Sequence, residues 1–204
     1  MALSVSTIWP AKPLDVLEDN MSQKKFSSII QKTLAVVNRE QSFFFLVFIA
    51  AFGAIAPHPA NVTPIAALGL FSGTYINRKL FLLVPIAALL VADLSGSGFY
   101  DFRVMGFVYL GMFASSITGR FLLANRSKAR WLPVSILVMS FAFYVLANFG
   151  NWWAFYPLTL QGLVECMING LPYFLRTLVG NTLWSVLFIG SYEWLKSRKI
   201  LQAA

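Results

Sequence analysis

VMGFVYLGMFASSITGRFLLANRSKARWLPVSILVMSFAFYVLANF, residues 104–149, decides the fold. Two apolar runs, Val104 to Leu123 and Trp131 to Phe149, flank a loop carrying Arg126, Lys128 and Arg130. Each run is about 20 residues, the length an α-helix needs to cross the roughly 30 Å hydrocarbon core of a bilayer. The basic loop between them marks a cytoplasmic turn.

Working outward, further apolar runs cover Phe43 to Ala56, Pro64 to Ile76 and Leu80 to Leu94 on one side. On the other, a run extends from about Leu171 to Leu195. Basic segments at the N-terminus, 77–79, 120–130 and 196–199 alternate with 57–63, 95–103 and 150–170, which are almost free of Lys and Arg. Fourteen of the sixteen Lys and Arg lie in the basic segments; only Arg103 and Arg176 lie elsewhere. This asymmetry predicts an all-α inner-membrane protein with six transmembrane helices and both termini cytoplasmic.

Composition agrees. Hydrophobic residues make up 58% of the chain and charged residues 12%, about half the charge of a typical soluble domain. The net charge of +8 is not arranged as an aromatic-interleaved basic stripe, so no nucleic-acid partner is expected. The bilayer is the partner that the composition implies.

The expected organisation is a cytoplasmic tail over 1–40, a six-helix domain over 41–196 and a short cytoplasmic tail over 197–204. The first tail reads as a disordered start followed by an amphipathic helix from about Phe26 to Val37. It lacks the apolar core and cleavage site of a signal peptide, so the first span acts as an uncleaved anchor; Met21 is an alternative start. The first three apolar runs are short for spans, and two readings stay open. Either they borrow flanking residues, or 43–76 forms a re-entrant hairpin broken at the prolines, buried in protein or lining a cavity.

Polar groups that could act gather at the non-cytoplasmic end. In Ala56-Pro57-His58-Pro59-Ala60-Asn61-Val62-Thr63-Pro64, Pro64 opens the next helix and Asn61 or Thr63 caps it; the loop could also wall a pocket. Asp93, at the outer end of the third run, is costly unless paired or wet. It either pairs with Arg176 or meets a charged substrate. Asn148, Asn151, Trp152, Trp153 and Tyr156 read as an external aromatic loop, either an interfacial anchor or a surface for a flat heterocycle. Segment 159–170, with Glu165 and Asn169 on one helical face, reads as a short external helix before the sixth span. Asn181 sits inside that span and needs partners. Asn61, Asp93, Asn148, Trp152, Tyr156, Glu165, Arg176 and Asn181 are thus the candidate binding set. Four small-residue pairs at i, i+4 spacing — Ala50/Ala54, Gly69/Gly73, Ala88/Ala92 and Ser115/Gly119 — suit close helix packing, within the bundle or against a partner helix.

One cysteine, Cys166, and one histidine, His58, leave no ligand set for a disulfide or a zinc centre. No catalytic triad or phosphate loop is present, so neither enzyme activity nor a cofactor is expected.

The run His58-Pro-x-Asn61-x-Thr63-Pro64-Ile65-x-Ala67-Leu68-x-Leu70-Phe71-x-Gly73 resembles an uncharacterised bacterial family of six-helix membrane proteins regarded as transport proteins. Val84-Pro85 with Asp93, Asn148-Phe149-Gly150-x-Trp152, Tyr156-Pro157-x-Thr159-x-x-Gly162-Leu163 and Pro172-x-Phe174-x-x-Thr177-Leu178-x-Gly180 extend the resemblance in order along residues 57–195. That family is similar to the substrate-binding S components of energy-coupling-factor (ECF) transporters. The resemblance implies six helices, an outward-facing vitamin pocket and a separate coupling subunit with ATPases. It also implies that small residues of the first helix dock onto the coupling subunit, and Ala50 and Ala54 stand at that place. The function expected is capture of a small nutrient. The alternatives are a structural or assembly subunit of a larger membrane complex, and a lipid- or quinone-handling protein.

Overall fold

A computed structural model describes residues 61–76 and 80–197, together with Gly53. The tail over 1–40, Ala50, Ala54 and the first apolar run lie outside the described residues. Among the described residues the chain is helical, with no strand: α1 (Ile65–Tyr75), α2 (Leu83–Ala92), α3 (Phe102–Thr118), α4 (Lys128–Phe155), α5 (Leu160–Ser185) and α6 (Ser191–Ser197). Wide π-type turns extend α2 through Asp93–Ser97 and α3 through Gly119–Leu123, and a third, Val186–Gly190, joins α5 to α6 without a break. Gly98, at φ 70°, ends the α2 extension by donating its N–H to the Asp93 carbonyl at 2.8 Å; positive φ is cheap there only because glycine lacks Cβ.

Two helices are long and apolar enough to cross a membrane, Phe102–Leu123 and Lys128–Phe155, at 22 and 28 residues. At 1.5 Å per residue they are about 33 and 42 Å long. α1 and α2 are apolar but shorter.

Cross-helix neighbours give the directions. Gly111 faces Phe143 while Gly150 faces Phe107, so α3 and α4 are antiparallel. Asn148 abuts Gly170 and Ser140 bonds Asn181, so α4 and α5 are antiparallel too. Tyr109 meets Asp93 while Arg120 lies over Phe81, so α2 opposes α3. Val62 meets Gly180 and Tyr75 meets Tyr192, so α1 runs with α5. The helices therefore alternate up and down. The 124–127 turn and α6 share one end; Asn61, Gly98 and Tyr156 share the other.

α1 is the central helix. Every residue from Ile65 to Thr74 is buried. Its Gly69 and Gly73 lie directly on Ser115 and on the Ser116 backbone of α3, while Gly119 lies on the Leu70 carbonyl of α1. Two of the small-residue pairs thus face each other. The expectation that Gly69 and Gly73 serve a partner helix is corrected: α3 of the same chain occupies that face. With no side chains between them, the backbones approach closely, and Ser72 Oγ stands 3.4 Å from Ser116 Oγ of α3.

The interior is polar where helices touch and the exterior is apolar. Ser72, Ser115, Ser116, Ser135, Ser140 and Ser185 are fully or nearly fully buried. Leu110, Leu137, Phe141, Leu175 and Leu183 each expose more than half their surface. Small polar residues at helix contacts and large apolar ones outside are the arrangement favoured in lipid.

The compact half of the bundle lies at the basic end, where Leu70, Phe71, Leu123, Ile136, Met139 and Ile189 form one cluster. Lys128 closes it by donating from Nζ to the Leu123 and Ala124 carbonyls at 2.6 and 2.9 Å. A cation at a helix C-terminus satisfies carbonyls that have no partner within the helix.

Two expectations are corrected at the other end. The external aromatic loop is the last two turns of α4, which continues to Phe155. The separate external helix over 159–170 is the first part of α5, which passes through Pro172 without breaking. Thr159 does cap it, its Oγ1 accepting from the Gly162 N–H at 3.1 Å. A single proline removes one backbone bond, and packing on α4 keeps the helix continuous around it.

Candidate functional site

The half of the bundle away from the basic turns holds a cavity of about 540 Å³ between α4 and α5, beside a smaller lobe of about 290 Å³ bounded by α1, α2 and α3. Asn61, Val108, Phe143 and Thr177 border both lobes. Volumes in this range suit a small molecule.

The larger lobe follows helical spacing. Tyr144, Ala147, Asn148 and Asn151 present one face of α4; Cys166, Asn169, Gly170, Tyr173, Phe174 and Thr177 present the facing side of α5. Gly170 is required there, because a Cβ would run into the Asn148 amide. Tyr156, on the short connection between the helices, closes the top, its hydroxyl accepting from Asn169 Nδ2 at 3.3 Å.

The wall is held by bonds to helix carbonyls. Asn148 Nδ2 donates to the Tyr144 carbonyl and Asn151 Nδ2 to the Ala147 carbonyl, each at 2.8 Å. Tyr144 Oη donates to the Met167 carbonyl at 2.6 Å, tying α4 to α5. Thr177 Oγ1 donates to the Tyr173 carbonyl at 2.9 Å, and Cys166 Sγ to the Asn148 carbonyl at 3.3 Å. In the smaller lobe Asn181 Nδ2 donates to Ser140 Oγ at 2.9 Å, forming a buried polar floor.

Asn61 is the one described residue other than glycine with positive φ, 65°. It was expected to cap the next helix. Instead Pro64 holds the N-cap position, with no side-chain cap bond from Asn61 or Thr63. Asn61 borders both lobes, and the Val62 carbonyl beside it accepts from Trp184 Nε1 at 3.3 Å. Backbone held in a sparsely populated region is a recurring mark of a ligand site.

Of the eight expected site residues the cavity gathers four: Asn61, Asn148, Tyr156 and Asn181. The rest stand apart. Trp152 turns its Nε1–H onto the Pro157 carbonyl at 2.9 Å, bracing the connection. Glu165 and Arg176 are exposed, Arg176 lying 5.7 Å from the Tyr173 ring centroid. Asp93 is buried behind the smaller lobe and accepts from Tyr109 Oη at 2.9 Å. Asp93 thus meets a tyrosine hydroxyl and not Arg176, one of its two expected partners.

Sequence reasoning missed Tyr144, Tyr173, Phe174 and Thr177. The signal was available: Tyr144 is four residues before Asn148, and Tyr173 and Thr177 continue the spacing of four from Asn169. It was hidden by reading 159–170 and 171–195 as separate elements.

At the mouth, Asp101 caps α3 and pairs with Arg103 at 2.8 Å, while Arg103 also donates to the Trp153 carbonyl at 3.3 Å. The Arg103 hydrogen bonds hold the Asp101 carboxyl at about 2, below the usual range. Burial pushes the Tyr100 phenol, in the smaller lobe, up to about 12. No group of three or more potential metal ligands occurs among the described residues.

No curated protein and no solved structure matches the chain. A family described as one of unknown function, DUF6580, matches over residues 36–203, and the chain belongs to that family.

Proposed function

We propose that the chain is a six-span protein of the bacterial inner membrane, both ends cytoplasmic, that captures a small nutrient from the outer side in the manner of an ECF S component. The observation that carries this reading is the cavity's position. It lies at the bundle end opposite the basic turns, so the positive-inside rule orients it outward. The alternating helices and the apolar exterior support several spans. Short α1 fits a span because it is wrapped by protein along its whole length, which permits irregular flanking backbone at membrane depth.

Below the cavity the described residues pack closely, with the buried Asn181–Ser140 bond and the cluster of Leu70, Phe71, Leu123, Ile136, Met139 and Ile189. That suits a capture subunit whose transport step is driven by a separate coupling subunit and ATPases. Docking of the first helix would fall to Ala50 and Ala54, outside the described residues. The test is uptake of a proven substrate by cells carrying the wild type or Asn148→Ala. Unchanged uptake in the variant would reject the site. A stable membrane assembly containing no ATPase would favour the structural-subunit alternative.

A further inference from the structure

Within the capture reading, on which this inference rests, we infer that the cavity selects a planar ligand that carries N–H donors beside acceptors and bears no carboxylate or phosphate. Among the described residues lining either lobe there is no Asp, Glu, Lys, Arg or His. Arg103 is paired with Asp101, Arg176 is exposed with its guanidinium 5.7 Å from the Tyr173 ring centroid, and Asp93 is bonded by Tyr109; none of them lines either lobe. Among the described residues no lining cation could replace the hydration that an anion would lose on entering this space, a large penalty in a low-dielectric site.

The hydrogen-bond inventory points further. A carbonyl cannot bond a carbonyl, so the amides of Asn148 and Asn151 must turn Nδ2 toward the Tyr144 and Ala147 carbonyls. Each amide keeps one N–H, and its Oδ1 faces away from its own helix carbonyl. Asn151 Oδ1 has no partner among the described residues, and Asn148 Oδ1 has only the Cys166 thiol at 3.9 Å. Tyr144 and Thr177 have committed their hydroxyl hydrogens to backbone carbonyls and can only accept. The wall therefore offers amide edges plus surplus acceptors. A lactam or amino-heterocycle edge is the complement of an amide edge, and its N–H groups answer the surplus acceptors. Phe143, Tyr144, Tyr156 and Phe174 supply ring faces for a flat molecule.

The test uses the full chain in nanodiscs and calorimetric titration with named probes: adenine, adenosine and uracil as neutral donors, AMP and orotate as their anionic counterparts, and 1,3-dimethyluracil as the donor-free control. At least one neutral probe should bind saturably, and its anionic or donor-free counterpart at least about tenfold more weakly. Asn151→Leu should weaken the bound probe by about tenfold. Tyr156→Phe, which keeps the ring, should weaken it less but measurably. Binding of AMP, orotate or dimethyluracil within threefold of the neutral probe overturns the inference, as does no neutral probe binding below about 1 mM. Uptake of an anionic nutrient that depends on Asn148 would overturn this ligand class while leaving the capture reading standing.

Discussion

Gly73→Ala tests the packing on which the cavity's walls depend. A Cβ at Gly73 would land on the Ser116 backbone oxygen and 2.9 Å from the Arg120 backbone nitrogen. Both obstacles are backbone within α3 and its extension, so neither can rotate away. To restore ordinary contact, α1 and α3 must separate by about 1 Å, which forfeits a quarter to a half of the dispersion energy along the line of contact. Overpacking of this kind costs about 1–3 kcal/mol, and the opposing Gly119, seated on the Leu70 carbonyl, prevents a compensating tilt. Gly106→Ala is the matched control: it lies in the same α3 and a Cβ there meets nothing within 4 Å. Helix propensity alone should make that change stabilising by roughly 0.5–1 kcal/mol. The same propensity gain applies at Gly73, so detergent unfolding curves for the two variants should diverge by the overpacking cost, about 1–3 kcal/mol. Equal stability would refute the close α1–α3 contact, and with it the intrachain role of Gly69 and Gly73.

Other outcomes follow from single contacts. Thr159→Ala removes the cap of α5 and should cost about 1 kcal/mol in the same unfolding assay. Asn181→Leu breaks the bond to Ser140; interhelical hydrogen bonds in membranes average about 0.6 kcal/mol, so the loss should be small in stability and visible mainly as a change in ligand binding. Asp101 has a depressed folded value of about 2 against about 3.9 unfolded. Its contribution is present above pH 4 and lost as pH falls through 2. Melting temperatures compared at pH 6 and pH 2.5 should differ less in Asp101→Asn than in the wild type.

Much of the helical fold was legible because long apolar runs announce themselves by length and apolarity. Val104–Leu123 and Trp131–Phe149 correspond to α3 and α4 to within a few residues at most ends. The failures share one cause. Asn148 to Phe155 carries two asparagines and four aromatic rings, and Leu160 to Gly170 carries Gln161, Glu165 and Asn169; that polarity was read as a place outside the bundle. In the structure both stretches are helical; Asn148 and Asn151 face the cavity and bond carbonyls of their own helix, and Asn169 faces them from α5. A polar face on a helix signals an interior surface here, the reverse of the soluble case. The candidate site was half legible for the same reason. Asparagines in or beside long apolar runs stood out, whereas Tyr144, Phe174 and Thr177 looked like ordinary residues of such runs until α4 and α5 were seen to face each other. Charged residues misled: Glu165 and Arg176 lie on the outside of α5, and Asp93 is satisfied by Tyr109.

The central claim is that the cavity between α4 and α5 holds a small molecule. Its most direct test is purification in mild detergent, with mass spectrometry of both retained small molecules and co-purifying proteins, for the wild type and the Asn148→Leu/Asn151→Leu double variant. The account predicts a retained molecule bearing N–H groups and no acidic group, lost in the double variant. A wild-type protein that retains nothing, and that instead sits in a stoichiometric membrane assembly without an ATPase, would contradict it.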